Sequence, residues 1–476
     1  MEVFKTNKGL QYIYEQESGY ISLAPKSFAN HVKGIVGNQY YAGKLKYLSS
    51  YGVISLDNSL SSTYKFLTED DIKLAILNTH QIIFEVTDRC NLCCHYCGYG
   101  ELYDNYDERS NSNMSFDMFK ILYDYLKSIW EVSKEQGSTY LRISFYGGEP
   151  LCNFSFIEQA VKYANVNPIA NKRIIFSMTT NALLLKKYMD FLVANSFELL
   201  VSLDGDKYND SYREYKNGDN SFDIVINNLG QLKHSYPDYF EKKVKFNSVL
   251  HDRNSIKEAD DFIYGKYHKH PMTNELNIFG VANNKKEEFQ KMFHSKSEEF
   301  KQMSRLDSVL YAYHSPFLAE YEKWILGTSL ISYSANIENV LSGDFVSNRM
   351  FANKILPTKT CIPFSRKIFV SVKGKLYPCE RIGNQFDFGS ITSDSVSFDY
   401  KRILTTYNGL YKKYVRFCKR CKNKDFCSVC IASDVDGFEV CKLRHNKENN
   451  NISEMLSYFE QNPDVIEDTF KNITVL

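Results

Sequence analysis

The stretch Ile82-Ile83-Phe84-Glu85-Val86-Thr87-Asp88-Arg89-Cys90-Asn91-Leu92-Cys93-Cys94-His95-Tyr96-Cys97 passes from an almost wholly apolar run into a loop carrying four thiols. An apolar run of that length suits a parallel strand covered on both faces. Five further β-rich runs come later, at 141–146, 173–179, 198–203, 244–250 and 275–281. Helix-length segments separate them, including 116–130, 182–195 and 256–267, with apolar residues at helical spacing. The last begins with Ser255-Ile256-Lys257-Glu258, a capping-box pattern. Alternating β and α units predict an α/β fold around a parallel sheet, either a barrel or an open doubly wound sheet. Six units fall short of the eight of a closed barrel, so a partial (β/α)6 barrel is expected.

The segments just past the strands point to a ligand site at the C-terminal strand ends, where parallel α/β folds bind. The first run leads into Thr87-Asp88-Arg89-Cys90 and the second into Gly147-Gly148-Glu149-Pro150. The third leads into Thr179-Thr180-Asn181 and the fourth into Ser202-Leu203-Asp204-Gly205. Gly, Asn and Asp also make ordinary βα turns, and any one of these sites reads that way. Four in series, one bearing cysteines, favour function.

The 476 residues carry 58 Lys+Arg against 57 Asp+Glu, a net charge of +1, which leaves no global footprint for nucleic acid or an anionic membrane. The length predicts more than one domain. No run approaches the roughly 18 consecutive apolar residues of a membrane span. The start, Met1-Glu2-Val3-Phe4-Lys5, lacks the apolar core of a secretory signal. The expected location is the cytoplasm, where disulfides do not persist. Twelve cysteines there imply metal or redox chemistry, and they cluster, four within 90–97 and seven within 361–441.

Cys90, Cys94 and Cys97 stand at the spacing CxxxCxxC. Three thiolates on a compact loop can hold a [4Fe–4S] cube with one iron open, whereas electron-transfer clusters use four cysteines. A zinc site with His95 as fourth ligand is the competing reading. In this register the segment resembles the radical S-adenosylmethionine (SAM) superfamily. The resemblance rests on the three cysteines, on Tyr96 where the family places an adenine contact, and on Gly147-Gly148-Glu149-Pro150, which matches the family's GGE motif. It implies that Gly147, Gly148 and Glu149 receive the methionine amino group. It also makes Asn181, Ser202 and Arg213 candidates for the ribose and carboxylate of SAM. Asp204 is a catalytic candidate near the substrate or a cap of the next segment. Cys93 and Cys152 lie outside the register and read as packed thiols.

The distal cysteines have a pattern of their own. Cys361 is followed by Gly374-Lys375-Leu376-Tyr377-Pro378-Cys379, then by Cys418-x2-Cys421-x5-Cys427-x2-Cys430 and finally Cys441. This resembles the SPASM domain of peptide-modifying radical SAM enzymes, with two auxiliary [4Fe–4S] clusters. The family usually places three residues between the last two members of the central group, where this chain has two, Ser428 and Val429. The resemblance implies that Cys361, Cys379 and Cys430 hold the first auxiliary cluster, with an open iron or a non-cysteine ligand. It implies that Cys418, Cys421, Cys427 and Cys441 hold the second. A treble-clef-like zinc module is the alternative, although seven cysteines suit two tetrahedral sites poorly. The basic run around Lys412, Arg416 and Lys422 reads as a solvated face or as cations beside an anionic cluster. No aromatic platform is interleaved for single-stranded nucleic acid.

The expected organisation is a winged-helix-like α+β domain at 1–80, serving as a leader-peptide recognition element or a capping extension. The partial barrel occupies 81–310, then come a helical linker at 311–356, the SPASM domain at 357–445 and a helical tail at 446–476. Within the first domain, 11–14 and 20–23 predict a hairpin, and 45–48 with 52–56 a helix end leading into a strand. The resemblance implies SAM and three [4Fe–4S] clusters as cofactors, and an enzyme that abstracts hydrogen from a ribosomally made precursor peptide to form a thioether or carbon–carbon crosslink. A reductase, flavodoxin or ferredoxin would supply electrons; no nucleic acid or membrane partner is expected. The alternatives are an anaerobic sulfatase maturase making formylglycine, and a non-catalytic iron–sulfur or zinc-stabilised adaptor. Three cubes predict about 12 irons and 12 sulfides per chain after anaerobic reconstitution, measured by metal analysis; stoichiometric zinc with little iron would contradict them.

Overall fold

The computed structural model describes residues 1–15, 20–50, 54, 66–104, 110–132, 139–278, 280–296, 299, 360–418, 429–432 and 451–461. The chain divides into two units. One comprises Met1–Phe66, Ser315–Thr360 and Leu410–Leu476, the other Leu67–His314 and Cys361–Gly409.

The first unit opens with β1 (Glu2–Lys5), β2 (Gln11–Glu15) and β3 (Tyr20–Leu23), an antiparallel sheet in that order, so the predicted hairpin is present. Helices α1 (Lys26–Val32) and α2 (Gln39–Ser50) come next. Ile13, Ala24, Phe28 and Ala29 form a small core, and Phe28 stacks on Tyr41 at 4.6 Å. Most of the strand predicted at 52–56 lies outside the described residues, as do the 311–356 segment and the tail beyond 461.

The second unit begins with α3 (Glu69–Leu77). Its capping box is complete: Thr68 Oγ1 accepts from the Asp71 amide at 3.3 Å, and the Asp71 carboxylate accepts from the Thr68 amide at 2.8 Å. The alternation read from the sequence then appears. Its first half is β4 (Gln81–Thr87), α4 (Phe116–Val132), β5 (Tyr140–Gly147), α5 (Phe154–Val166), β6 (Arg173–Thr180), α6 (Leu185–Ala194) and β7 (Glu198–Ser202). Its second half is α7 (Phe222–Ser235), α8 (Pro237–Lys243), β8 (Val244–Leu250), α9 (Ile256–Tyr267), β9 (Met272–Glu275) and α10 (Lys286–Met292). Ser255 caps α9 as its sequence predicts, accepting from the Glu258 amide at 3.1 Å. Strands β10 (Ile368–Val370), β11 (Lys375–Tyr377), β12 (Gly389–Ile391) and β13 (Val396–Phe398) complete the sheet.

These strands form one ten-stranded sheet in the order β13-β12-β11-β10-β4-β5-β6-β7-β8-β9. From β10 to β9 every pair is parallel; β10 to β13 are antiparallel. The fold is thus α/β with a parallel-sheet core. Successive side chains alternate between faces, and on the helix side of β4 the Phe84 ring meets Phe119 of α4 at 5.0 Å and Phe156 of α5 at 6.2 Å. On the neighbouring strands Phe197 stacks on Phe145 at 5.7 Å and on Phe176 at 5.5 Å. Glu85 and Thr87 take the other register positions of β4.

Among the parallel strands, two depart from the sequence reading. The sixth run pairs at Met272–Glu275 instead of 275–281, because β8 offers partners only as far as Leu250, opposite Glu275. Val281 makes an isolated bridge to Tyr103. The parallel strand β10 went unread, since three residues carry no periodicity; its register, Ile368 with Ile82 and Val370 with Phe84, is set by tertiary pairing alone.

Helix α11 (Tyr400–Cys418) buries Ile403, Tyr407, Leu410, Tyr411 and Tyr414 at helical spacing. In the first unit α12 (Asn451–Gln461) is tied to the turn after β1, with the Asn7 amide donating to Ser457 Oγ at 3.0 Å. No helix among the described residues is long and apolar enough to cross a membrane.

One contact sets the end of the parallel sheet. A Cβ on Gly148 would overlap the carbonyl oxygen of Arg89, and a Cβ on Gly147, at φ +127°, would overlap that of Thr87. Gly148→Ala is therefore expected to cost about 3 kcal/mol or more, read as a fall in the urea midpoint of the reconstituted enzyme, against a small change for Gly230→Ala, where a Cβ meets nothing within 4 Å.

Candidate active site at the C-terminal strand ends

The cysteine loop leaves β4 and is held from two sides. On one, the Gly148 amide donates to Thr87 O at 2.9 Å and the Glu149 amide to Arg89 O at 2.8 Å. On the other, the Cys93 amide donates to Glu214 O at 2.7 Å and the His95 amide to Tyr212 O at 3.2 Å. Within the loop the Cys97 amide donates to Cys94 O at 3.1 Å and the Gly100 amide to Cys97 O at 2.7 Å.

Cys90, Cys94 and Cys97 are all half-buried and electrostatically within reach of one another. Cys90 Sγ accepts from the Leu92 amide at 3.4 Å and from Asn181 Nδ2 at 3.8 Å. Burial pushes the Cys94 thiol strongly upward, and the buried Arg213 guanidinium opposes that shift. Soft thiols with amide donors and a buried cation are the donor set an anionic iron–sulfur cube requires. His95 Nε2 pairs with Glu214 Oε1 at 2.8 Å. Cys93, read as packed, is exposed; its amide is spent on Glu214, and the pairing directs the side chain outward. Cys152 is half-buried, and its carbonyl accepts from Arg89 Nη2 at 3.3 Å.

The acid of the GGE motif is enclosed. Glu149 is 1% exposed; its Oε1 accepts from the Leu151 amide at 3.1 Å and Thr180 Oγ1 at 2.8 Å, and its Oε2 from the Asn181 amide at 2.8 Å. Burial raises its pKa, and these donors work against the rise. The carboxylate thus straps the end of β5 to the end of β6. Asn181 in turn gives Nδ2 to Asn91 Oδ1 at 2.7 Å, beside Cys90.

Tyr96, Asp204 and Arg213 meet in one buried network. The Tyr96 hydroxyl donates to Asp204 Oδ2 and accepts from Arg213 Nη1 at 2.9 Å. Asp204 is fully buried, and its Oδ1 accepts from the Val249 amide at 2.8 Å. The Tyr96 ring stacks on His251 at 5.5 Å. Burial lifts the Asp210 carboxyl well above its ordinary value, with Arg213 opposing and Asp204 reinforcing. Ser202 is half-buried at the end of β7, in register with Asn247 of β8. An open cleft of about 350 Å³, lined by Cys90, Asn91, Tyr215, Lys216 and Asn217, adjoins the loop.

In the second unit, Cys361 Sγ accepts from Arg366 Nη1 at 3.9 Å and Cys379 Sγ from the Arg381 amide at 3.4 Å. Burial pushes the Cys379 thiol up to about 12. In the first unit Cys418 is buried and Cys430 half-buried, while Cys421, Cys427 and Cys441 lie outside the described residues.

Sequence reasoning missed Asn228, His251 and Asp210. Asn228 Nδ2 donates to the carbonyls of Ala182 at 2.9 Å and Leu183 at 3.0 Å, fixing the turn after Asn181, where Ala182 has φ +62°. Its signal was a polar residue on the buried face of α7, among Val225, Leu229 and Leu232. Asn228→Leu removes the side-chain donor to both carbonyls, of which Ala182 O keeps the Leu185 amide at 3.2 Å; a loss of about 1–3 kcal/mol is expected by urea denaturation, with weaker SAM binding in equilibrium dialysis.

Known proteins are similar to parts of this chain. Residues 84–263 match the model of the Radical SAM superfamily. An uncharacterized protein of Methanocaldococcus jannaschii is 37% identical over 29% of this chain and 43% of its own length. A cysteine-type anaerobic sulfatase-maturating enzyme of Clostridium novyi is 26% identical over 40% of this chain and 47% of its own, and the radical SAM cyclopropyl synthase TigE of Paramaledivibacter caminithermalis 28% over 35% and 34%. The chain thus spans less than half the length of these relatives. The solved structure of native anSMEcpe with bound AdoMet superposes with a TM-score of 0.51 at 18% identity, covering 83% of this chain and 100% of that one, a likeness of fold. Residues 84–263, which contain the cysteine loop, are thus similar to the radical SAM superfamily.

Proposed function

We propose that the enzyme modifies a ribosomally made peptide, using a 5′-deoxyadenosyl radical to form a thioether or carbon–carbon crosslink. The observation that carries this reading is one cleft shared by the radical-SAM loop and a distal cysteine segment. Asp88 and Tyr99, which flank the 90–97 loop, line it together with Glu380, the neighbour of Cys379. The parallel pairing of β10 with β4 sets the turn of the β10–β11 hairpin at the C-terminal end of β4, and β11 returns antiparallel toward Cys379.

Cys90, Cys94 and Cys97 would hold an iron–sulfur cluster, which would supply the electron for reductive cleavage of SAM. Arg213 lies buried among Tyr96, Cys94, Asp204 and Asp210, and favours the anionic state of the thiol loop. Tyr96 is held by Arg213 and Asp204, so Asp204 serves as a positioning residue. The glycines of the GGE motif press β5 against the loop, and Asn181 orients Asn91 beside Cys90. Abstraction takes one electron and one proton from the substrate as a hydrogen atom. Closing a crosslink then releases a second electron and a proton, and a group held by Cys361, Cys379 and Cys430 would accept that electron. The second group, held by Cys418, Cys421, Cys427 and Cys441, would relay electrons onward. A flavodoxin, ferredoxin or reductase is the proposed donor.

Formylglycine formation in a sulfatase is the second reading, favoured by the likeness to anaerobic sulfatase-maturating enzymes of Clostridium novyi and Bacteroides thetaiotaomicron. The gene neighbourhood separates the two: a small peptide frame supports the first, a sulfatase the second. Replacing Cys90, Cys94 and Cys97 by Ala is expected to abolish 5′-deoxyadenosine formation. Replacing Cys361, Cys379 and Cys430 is expected to leave SAM cleavage measurable while product fails to accumulate, once circular dichroism confirms a folded chain. Product at the parental rate from that second variant would contradict the electron-acceptor role.

A further inference from the structure

The shared cleft has a charge pattern of its own. It lies between the C-terminal end of β4 and the β10–β11 hairpin, and its space of about 40 Å³ holds roughly three water-sized groups. Its lining contains three carboxylates, Glu85, Asp88 and Glu380, against one ammonium, Lys373. Lys373 is exposed, whereas Glu85 is 6% and Asp88 4% exposed. Two of the carboxylates are occupied: Glu85 accepts from the Val372 amide at 2.8 Å, and Glu380 pairs with Lys367 at 3.0 Å. Asp88 is different. Its Oδ2 accepts from the amide and hydroxyl of Ser110 at 2.7 and 3.0 Å, while its Oδ1, equally buried, has no hydrogen-bond partner among the described residues.

We propose that this cleft binds the cationic tip of a Lys or Arg side chain of the peptide substrate, with Asp88 Oδ1 as its principal acceptor. The inference rests on the peptide-modifying reading and narrows its substrate class. A buried carboxylate oxygen without a donor is costly, and a charge-assisted bond from an ammonium or guanidinium satisfies it. The small internal space admits a charged head and its last methylene, and excludes an aromatic ring. The apolar walls, Phe369, Val372 and Ile382, suit the aliphatic stem.

The test uses the reconstituted full-length enzyme with saturating SAM and dye-labelled probes Gly-Gly-X-Gly-Gly, where X is Lys, Arg, norleucine or Glu. Fluorescence anisotropy measures binding, and 5′-deoxyadenosine formation is followed in parallel. The Lys and Arg probes are expected to bind at least tenfold more tightly than norleucine, with Glu weakest. Asp88→Asn should bring Lys and norleucine to within about twofold of each other. Lys373→Ala, a surface change that removes the competing cation, should widen the preference. Equal affinity for Lys and norleucine in the parent enzyme overturns the proposal, whatever the variants do. If that parity occurs with SAM cleavage intact, the cation site alone falls; if SAM is not cleaved either, the reading beneath it falls too.

Discussion

The close approach of two backbone segments, Gly147–Glu149 against Thr87–Arg89, is the constraint on which the site depends. Two amide-to-carbonyl bonds join the end of β5 to the root of the cysteine loop, and the geometry leaves no room for a Cβ at either glycine. The resemblance implied that these glycines, with Glu149, receive the methionine amino group. Their first task in the structure is to let two strand ends abut, so that Cys90 leaves the sheet at a fixed point. Glu149 completes the joint by bonding to β6, and Asn181 carries the connection back to Asn91 beside Cys90. Four segments thereby share one backbone framework, which is how a parallel sheet positions a loop it does not contain.

A second constraint is electrostatic. Asp204, Asp210, Tyr96 and Arg213 are all buried, and burying one guanidinium or carboxylate alone would be prohibitive. Here the cation stands among the acids and the cysteine loop, so each charge is partly neutralised by the next. Removing one member of such a buried set typically costs about 3–5 kcal/mol, because its partners lose their compensation. The network therefore reports on loop geometry: Tyr96 sits between two cysteines in sequence, and its hydroxyl is pinned from both sides.

The sheet itself extends the site. The parallel pairing of β10 with β4 places the β10–β11 hairpin, with Ser371, Val372 and Lys373, beside the cleft that Asp88 and Tyr99 line. A peptide reaching this cleft would meet carboxylates at its base, and apolar walls supplied by the β10–β11 hairpin.

The sequence by itself determined the alternating units, because apolar run length and helical spacing are local, and five of the six predicted strands lie where the runs placed them. It also determined the cysteine register and the GGE motif, since both are short patterns whose chemistry is contained in adjacent residues. The tertiary structure decided the rest. Strand β10 is three residues long and has no pattern until β4 supplies its partner. Asp204 reads from the sequence as a catalytic candidate near the substrate or a cap, and only the packing supplies its partners, the amide of Val249 and the hydroxyl of Tyr96. Asn228 lies 46 residues from the carbonyl of Ala182 that it satisfies. The Asp88 oxygen that has no partner among the described residues, and the cleft that Asp88 lines, belong to the place where β4 meets the β10–β11 hairpin. Local pattern fixes which groups a chain carries; long-range packing fixes which of them remain unsatisfied, and that is where binding begins.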